Sequence, residues 1–294
     1  LLVVAGSCGA SVETPSVPSD AESVETPSVP SDAESVETPS VPSDAESAGS
    51  AVGGAPTERA GITDYEAVVV ATVAHDPAAY TQGLEFVDGL LLESTGLVGE
   101  SSIRLVDPET GDVLAVEEVP EPLFAEGATV VGDEIWQLTW QNEVLLIRSL
   151  DDLEERRRLA YRGEGWGLCA TEDRLIMSDG SSRLTFRDRE TFEVLGSVEV
   201  TDGGEPLQQL NELECVGDRV WANVYLTARI VSIDPDSGAV DGSLSVEALV
   251  PEGIMDDDPG NVSNGIAYNR ETGRFWLTGK RWPVMYEVEL RPIG

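Results

Sequence analysis

Gln82-Gly83-Leu84-Glu85-Phe86 sets a pattern that recurs down the chain. Four later segments open alike: Glu126-Gly127-Ala128-Thr129-Val130, Trp166-Gly167-Leu168-Cys169-Ala170, Asn211-Glu212-Leu213-Glu214-Cys215 and Asn264-Gly265-Ile266-Ala267-Tyr268. The spacings are 44, 40, 45 and 53 residues. Each opening leads through a turn into a second apolar run, then a third and a fourth. Turn signals such as Val87-Asp88-Gly89, Asp107-Pro108-Glu109-Thr110-Gly111 and Asp234-Pro235-Asp236-Ser237-Gly238 separate the runs. A repeat of roughly forty residues carrying four strands is a propeller blade. The pattern therefore predicts an all-β, five-bladed β-propeller. The last unit ends at Leu290 with room for three strands, and the run Tyr65–Ala74 would supply the fourth. A ring closed by the N-terminal strand also protects the sheet edges. Helical periodicity is absent, apart from a weak charged stretch at Asp151–Arg158.

The segment before the repeats has another character. Leu1-Leu2-Val3-Val4-Ala5-Gly6-Ser7-Cys8 reads as the end of a signal-peptide apolar region, with a charged leader expected upstream. Small residues running into a Cys resemble the lipobox of bacterial lipoproteins, where the Cys is lipidated. Residues 1–10 are assigned to this remnant, with Cys8 as the lipidation candidate; an ordinary signal peptide is the alternative. SVETPSVPSDAE then appears three times, from Ser11, Ser23 and Ser35. Such a segment buries too little apolar surface to fold, so residues 11–63 are expected to form a disordered linker. Residues 64–294 are left as the propeller. The chain is expected to be exported, and held outside the cytoplasmic membrane by a lipid at Cys8 or released to a periplasmic or extracellular space.

The net charge of −37 is spread over both parts. Residues 1–60 hold ten acids and one Arg; the other 45 acids and 17 bases leave the rest at −28. Nucleic acid is a poor partner for such a surface, because it requires clustered Lys and Arg. A cationic ligand is favoured, although an acid-rich proteome accounts for the charge equally well. His75 is the only His, which argues against zinc catalysis through several imidazoles. Lys280 is the only Lys, against 17 Arg, and so marks a position where Arg does not substitute.

In a blade the first strand starts on one face of the disc and the second returns to it. The starts are Gln82, Glu126, Trp166, Asn211 and Asn264. Fourteen residues on from the first four stand Gly96, Trp140, Gly180 and Tyr225. The inner turn of the fifth unit, Asn269–Arg274, is about two residues longer, so Lys280 is its counterpart at sixteen. Taken singly, Trp140 and Trp166 read as core, Asn211 and Asn264 as turn residues, and Glu126 and Lys280 as solvated charges. The register instead gathers them at one rim of the central channel.

These segments resemble the glutaminyl-peptide cyclotransferase of papaya latex and many bacteria. The motifs that carry the resemblance run from about Tyr65 to Leu290. They include His75-Asp76-Pro77 with Tyr80-Thr81-Gln82-Gly83-Leu84, Phe124-Ala125-Glu126-Gly127, Gln137-Leu138-Thr139-Trp140 and Gly165-Trp166-Gly167-Leu168. Leu210-Asn211-Glu212-Leu213-Glu214, Val220-Trp221-Ala222-Asn223, Asn264-Gly265-Ile266-Ala267 and Thr278-Gly279-Lys280 follow. The resemblance implies a five-bladed propeller unlike the zinc-dependent animal enzyme. It implies a catalytic role for Glu126. It also implies substrate-pocket roles for Tyr80, Gln82, Phe124, Trp140, Trp166, Asn211, Tyr225 and Lys280. Tyr80 stands where the family usually has Phe, and Tyr225 where the plant enzyme has Trp.

The reaction so implied is intramolecular. The α-amine of an N-terminal glutamine attacks its own side-chain amide, and ammonia leaves. Phe124, Trp140 and Trp166 would hold the ring-forming conformer. Glu126, its pKa raised by an aromatic setting, would move the proton. Lys280, with Asn211 or Gln82, is the candidate for steadying the oxyanion. Peptides or proteins with N-terminal glutamine are the expected partners, with neither cofactor nor metal and the chain acting as a monomer. His75 is expected to be structural. Cys169 and Cys215 admit either a disulfide or two buried thiols. Asp256-Asp257-Asp258 reads as an acidic loop patch. The competing readings are an exported propeller that binds peptides or sugars without catalysis, and a lactonase-like hydrolase with a channel metal.

Overall fold

The computed structural model of the chain describes residues 61–256 and 258–293. Cys8 and the repeats from Ser11 to Glu46 lie outside the described residues. The described part is all-β and propeller-like, with one short 3-10 turn at Glu247–Leu249. Among the described residues no helix is long and apolar enough to cross a membrane.

Strand β1 spans Thr63–Ala74. The first meander comprises β2 (Thr81–Val87), β3 (Leu90–Thr95), β4 (Ser102–Val106) and β5 (Val113–Glu118). The second comprises β6 (Ala125–Val131), β7 (Glu134–Thr139), β8 (Val144–Ser149) and β9 (Glu155–Ala160). The third has β10 (Leu168–Ala170), β11 (Leu175–Met177), β12 (Arg183–Arg187) and β13 (Val194–Glu199). A two-stranded ribbon, β14 (Thr201–Asp202) and β15 (Glu205–Pro206), follows. The remaining strands are β16 (Leu210–Val216), β17 (Arg219–Val224), β18 (Arg229–Ile233), β19 (Val240–Ser245), β20 (Ser263–Asn269), β21 (Arg274–Gly279) and β22 (Val284–Pro292). With β1 they form an eight-stranded sheet in the order β16-β17-β18-β19-β1-β22-β21-β20. β1 pairs antiparallel with β22 from Tyr65↔Pro292 to Ala74↔Val284, so the N-terminal strand completes the last meander. A short parallel pairing, Thr63↔Gly242 to Tyr65↔Leu244, ties it to β19 as well.

Apolar side chains explain the packing of the meanders. Leu92 and Ile103 meet Ala128 and Ile135 in one cluster, and Trp136 and Ile147 meet Leu168 and Met177 in the next. Ile176 and Leu184 meet Leu213 and Val231; Trp221 and Leu244 meet Ile266 and Val288; Ala267 and Trp276 meet Leu84 and Leu91. The first strands ring the axis. β2 lies against β6 and β20, β10 against β6 and β16, and β16 against β20. Glycine permits this approach: a Cβ on Gly127 would fall 2.6 Å from the Trp166 carbonyl oxygen. Glu212 stands where the other openings carry glycine. Its carboxylate accepts the backbone N–H groups of Ile266 (2.9 Å) and Leu84 (3.3 Å), which joins β16 to β20 and to β2.

The charged stretch Asp151–Arg158 is a turn followed by strand β9, so the weak helical signal is corrected. β9 is the outer strand of its meander and nearly all exposed, so it lacks the in-out alternation that marks a half-buried strand. Its charges pair locally instead, Arg157 with Glu134 across the sheet at 2.8 Å and Arg158 with Glu155 at 2.7 Å.

His75 is buried just beyond β1 and fastens it to the turn after β21. Its Nδ1 lies 2.6 Å from the Trp282 carbonyl oxygen and its Nε2 2.9 Å from Glu93 Oε1. Both neighbours are acceptors, and only the imidazolium carries two N–H donors. Burial works to lower the His75 pKa, but the Glu93 carboxylate and the Trp282 carbonyl outweigh it and hold it above 6.5. The folded value exceeds the unfolded one. This stabilisation is therefore complete below pH 6.5 and is lost as the pH rises through the folded value. With a single histidine in the chain, proton NMR resolves the titration directly. We expect a midpoint above 6.5; one at or below it would show that burial dominates.

Candidate active site

The four-stranded pattern delivers side chains to one mouth of the channel. The backbone N–H groups of Gly96, Trp140, Tyr225 and Lys280 donate to the carbonyls of Tyr80, Phe124, Gln209 and Val262 at 2.8 to 3.0 Å. These four positions are equivalent: Thr81↔Thr95, Ala125↔Thr139, Leu210↔Val224 and Ser263↔Gly279 pair at the residues just before them. The longer fifth turn thus carries Lys280 to the place of Trp140 and Tyr225. Gly96 and Gly180 leave room for rings. A Cβ on Gly180 would meet Trp166 at 2.7 Å, and one on Gly96 would press into Phe124.

A cavity of about 280 Å³ results, with Glu126 buried in its wall. The Glu126 backbone carbonyl accepts the Ser94 hydroxyl. Its carboxyl Oε1 accepts Gln82 Nε2 at 3.2 Å, and Gln82 Oε1 accepts Asn264 Nδ2 at 3.3 Å. The rings stand edge to face: Tyr80 against Phe124 at 89° and Trp166 against Tyr225 at 86°, with Phe124 and Trp140 tilted at 60°. Lys280 Nζ sits between two phenol rings, 4.7 Å from the Tyr80 centroid and 4.8 Å from that of Tyr225. Asn211 also lines the cavity, and its Oδ1 is buried without a hydrogen-bond partner.

Burial governs the electrostatics. It pushes the Glu126 carboxyl well above the ordinary carboxylate range; Lys280 pulls it back and Glu164 pushes it further up. Burial also lowers the Lys280 ammonium to about 8, against the opposing pull of Glu126 and Asp258. Burial thus moves the acid up and the base down, toward each other, an arrangement that suits proton transfer within the site.

Nine of the ten candidates line this cavity: Tyr80, Gln82, Phe124, Glu126, Trp140, Trp166, Asn211, Tyr225 and Lys280. Asn264 is the exception. It is fully buried behind Gln82, and its Nδ2 is taken by the Thr81 carbonyl (2.9 Å) and Gln82, so it braces the site rather than facing a ligand. Gln82 Nε2 gives one of its two N–H donors to Glu126 Oε1, which leaves the other beside Asn211 and Lys280 as an oxyanion candidate. Cys169 and Cys215 form a disulfide with Cα atoms 5.5 Å apart. Of the acidic run, Asp257 is outside the described residues, and Asp258 bears on Lys280. Glu164 and Ser94 also serve the site, although neither was singled out from the sequence. Among the described residues, no group of three His, Cys, Asp or Glu is placed to hold a metal ion. A roomier recess of about 1600 Å³ lies beside Tyr65, Arg229 and Met255, with none of the convergent chemistry.

Residues 45–290 match the family described as glutamine cyclotransferase. The glutaminyl-peptide cyclotransferase of Arabidopsis thaliana is 36% identical over 229 residues, 77% of this chain and 72% of that one. The solved structure of Myxococcus xanthus glutaminyl cyclase superposes with a TM-score of 0.74 at 34% identity, over 79% of this chain and all of that one. Similarity of this extent, in both sequence and fold, places the chain in the glutamine cyclotransferase family.

Proposed function

We propose that the chain converts N-terminal glutamine of peptides and proteins to pyroglutamate. The observation that carries this reading is a buried carboxyl of raised pKa, hydrogen-bonded to Gln82 and walled by indoles, in a cavity shared with the lone Lys. The substrate reacts as its free amine, which attacks its own side-chain carbonyl carbon. A C–N bond forms and the carbonyl oxygen takes the negative charge. The Glu126 carboxylate accepts a proton from the attacking nitrogen and delivers it to the departing one. The old C–N bond then breaks and ammonia leaves. Lys280 and the Asn211 amide balance the oxyanion. Shape matters as much as charge, because holding a flexible side chain in its ring-closing conformer can supply several kcal/mol. The aromatic rings and Gly96 set that shape.

The scaffold in this reading is a five-bladed propeller. The five apolar clusters between successive meanders, the last joining Trp276 to Leu91, support that count. Export fits the small residues leading into Cys8 and the Cys169–Cys215 disulfide, which persists in oxidising compartments. A lipid at Cys8 would anchor a monomeric chain, and loss of membrane association in Cys8→Ser would bear that out.

The deciding experiment supplies a glutamine-initiated dipeptide and follows ammonia. We expect stoichiometric ammonia and pyroglutamyl product, at the same rate with and without a chelator. Binding without ammonia release would favour the non-catalytic propeller, and loss of activity on chelation would point to a metal.

A further inference from the structure

Beyond its charge effect on Glu126, Glu164 touches both indoles of the pocket. It lies between β9 and β10, in Gly163-Glu164-Gly165-Trp166. Its Oε2 accepts two hydrogen bonds, from Trp140 Nε1 at 2.8 Å and from Trp166 Nε1 at 3.0 Å. Its Oε1 accepts Gln141 Nε2 at 2.8 Å. Trp140 follows β7 in the second meander, whereas Trp166 leads into the third. One carboxylate thus ties together two walls of the cavity that come from different sheets.

We propose that Glu164 is a positioning residue for the cyclisation, a clamp that fixes the planes of Trp140 and Trp166 around the substrate's glutamine side chain. Trp140 has the greater need of it. The residue is 38% exposed, so packing alone leaves its ring room to swing. Indole N–H groups on a charged acceptor make charge-assisted hydrogen bonds, stronger than neutral ones. The carboxylate stays ionised to serve this purpose. Burial works to raise its pKa, but the bonds from Gln141, Trp166 and Trp140 bring it below the ordinary range. The loop does not depend on the side chain. Gly165 N–H donates to the Trp140 carbonyl at 3.0 Å and Gly163 N–H to Glu143 Oε1 at 2.9 Å, so backbone anchors flank Glu164 on both sides. Substitution at 164 should therefore release the rings while the loop stays in place.

Two variants separate the hydrogen bonds from the charge. Glu164→Ala removes both. Glu164→Gln keeps a carbonyl oxygen that can accept both indoles and removes the charge, while its NH2 meets Gln141, whose amide must turn over to accept it. The inference rests on the proposed cyclisation, so one readout is independent of activity: the indole N–H resonances of the six Trp residues in a 15N-labelled chain. We expect two of them to shift in Glu164→Ala and to stay near their wild-type positions in Glu164→Gln. On a glutamine-initiated dipeptide, Glu164→Ala should lose roughly 10- to 100-fold in kcat/KM, the scale of a misplaced substrate. Glu164→Gln should recover most of that loss. Its acid limb should move to lower pH, because a negative charge that raises the Glu126 pKa is gone. Unmoved indole resonances in Glu164→Ala, unchanged kcat/KM, or equal impairment of the two variants would each overturn the clamp. If wild type releases no ammonia while the indoles shift as expected, the proposed reaction fails and the hydrogen-bonded clamp stands.

Discussion

Replacing Glu126 by Gln is expected to lower kcat by about 10²- to 10⁴-fold, the usual contribution of a positioned proton carrier. The substitution is close to isosteric. The carbonyl of the introduced amide can still accept Gln82 Nε2, and the Ser94 bond to the backbone carbonyl is untouched. Cavity shape and the aromatic walls therefore survive, and the loss should fall on kcat rather than KM. Stability should move the other way. Burial raises the folded pKa of Glu126, so the folded state holds its proton more tightly than the unfolded state. Wild type accordingly loses stability as the pH rises above the ordinary carboxylate value of 4.5 through the folded one, whereas the variant has no proton to lose there. Thermal melts at pH 5 and pH 8 should show the gap between the two chains shifting in favour of the variant. Near-normal turnover in Glu126→Gln would eliminate the proton shuttle.

The parts of the site that were legible in the sequence are those tied to strand register. Side chains alternate along a strand with a period of two, so equal offsets from equal openings reach the same face. That reasoning carried Lys280 to the level of Trp140 and Tyr225, and the pairing Ser263↔Gly279 places it there. Register does not say how much space remains at each position. Asn264 shares the offset of Gln82 and Asn211, yet it is spent on bracing Gln82. Nor does register reach residues outside strands. Glu164 sits between two glycines in a connection and reads as a solvated charge, and only the converging indoles give it a role. Ser94 was hidden for a different reason. A buried serine in an inner strand resembles core packing, and its hydroxyl matters because it reaches into the neighbouring meander to hold the Glu126 carbonyl. A comparable signal was present, since Ser178, at the same offset from its own opening, holds the Asn211 carbonyl at 2.6 Å. For Cys169 and Cys215 the offsets left both outcomes open, because adjacency of two strands does not fix which way two thiols point.

The disulfide carries the second large effect. It joins β10 to β16, the strands that open next to Trp166 and at Asn211, and it closes a loop with a sequence separation of 46. On the chain-entropy account, a cross-link over that length removes about 4 kcal/mol of freedom from the unfolded chain, and measured values usually fall at roughly 2–4 kcal/mol. Replacing both cysteines by Ala should therefore cost roughly 2–4 kcal/mol and lower Tm by roughly 10 °C. Alanine is the suitable choice, because both sites are buried among apolar neighbours and a serine hydroxyl would find no water there. A reduced wild-type chain should behave like the variant, which separates the loss of the cross-link from the loss of two sulfur atoms. Urea melts of oxidised, reduced and doubly substituted chains provide the comparison, and coincident midpoints would show that packing and hydrogen bonds suffice to hold β10–β13 and β16–β19 together. Activity should fall less than stability. The backbone bond from Gly180 N–H to the Leu210 carbonyl and the Ser178 bond to the Asn211 carbonyl also span these two meanders, so Trp166 and Asn211 keep their spacing while the fold is intact.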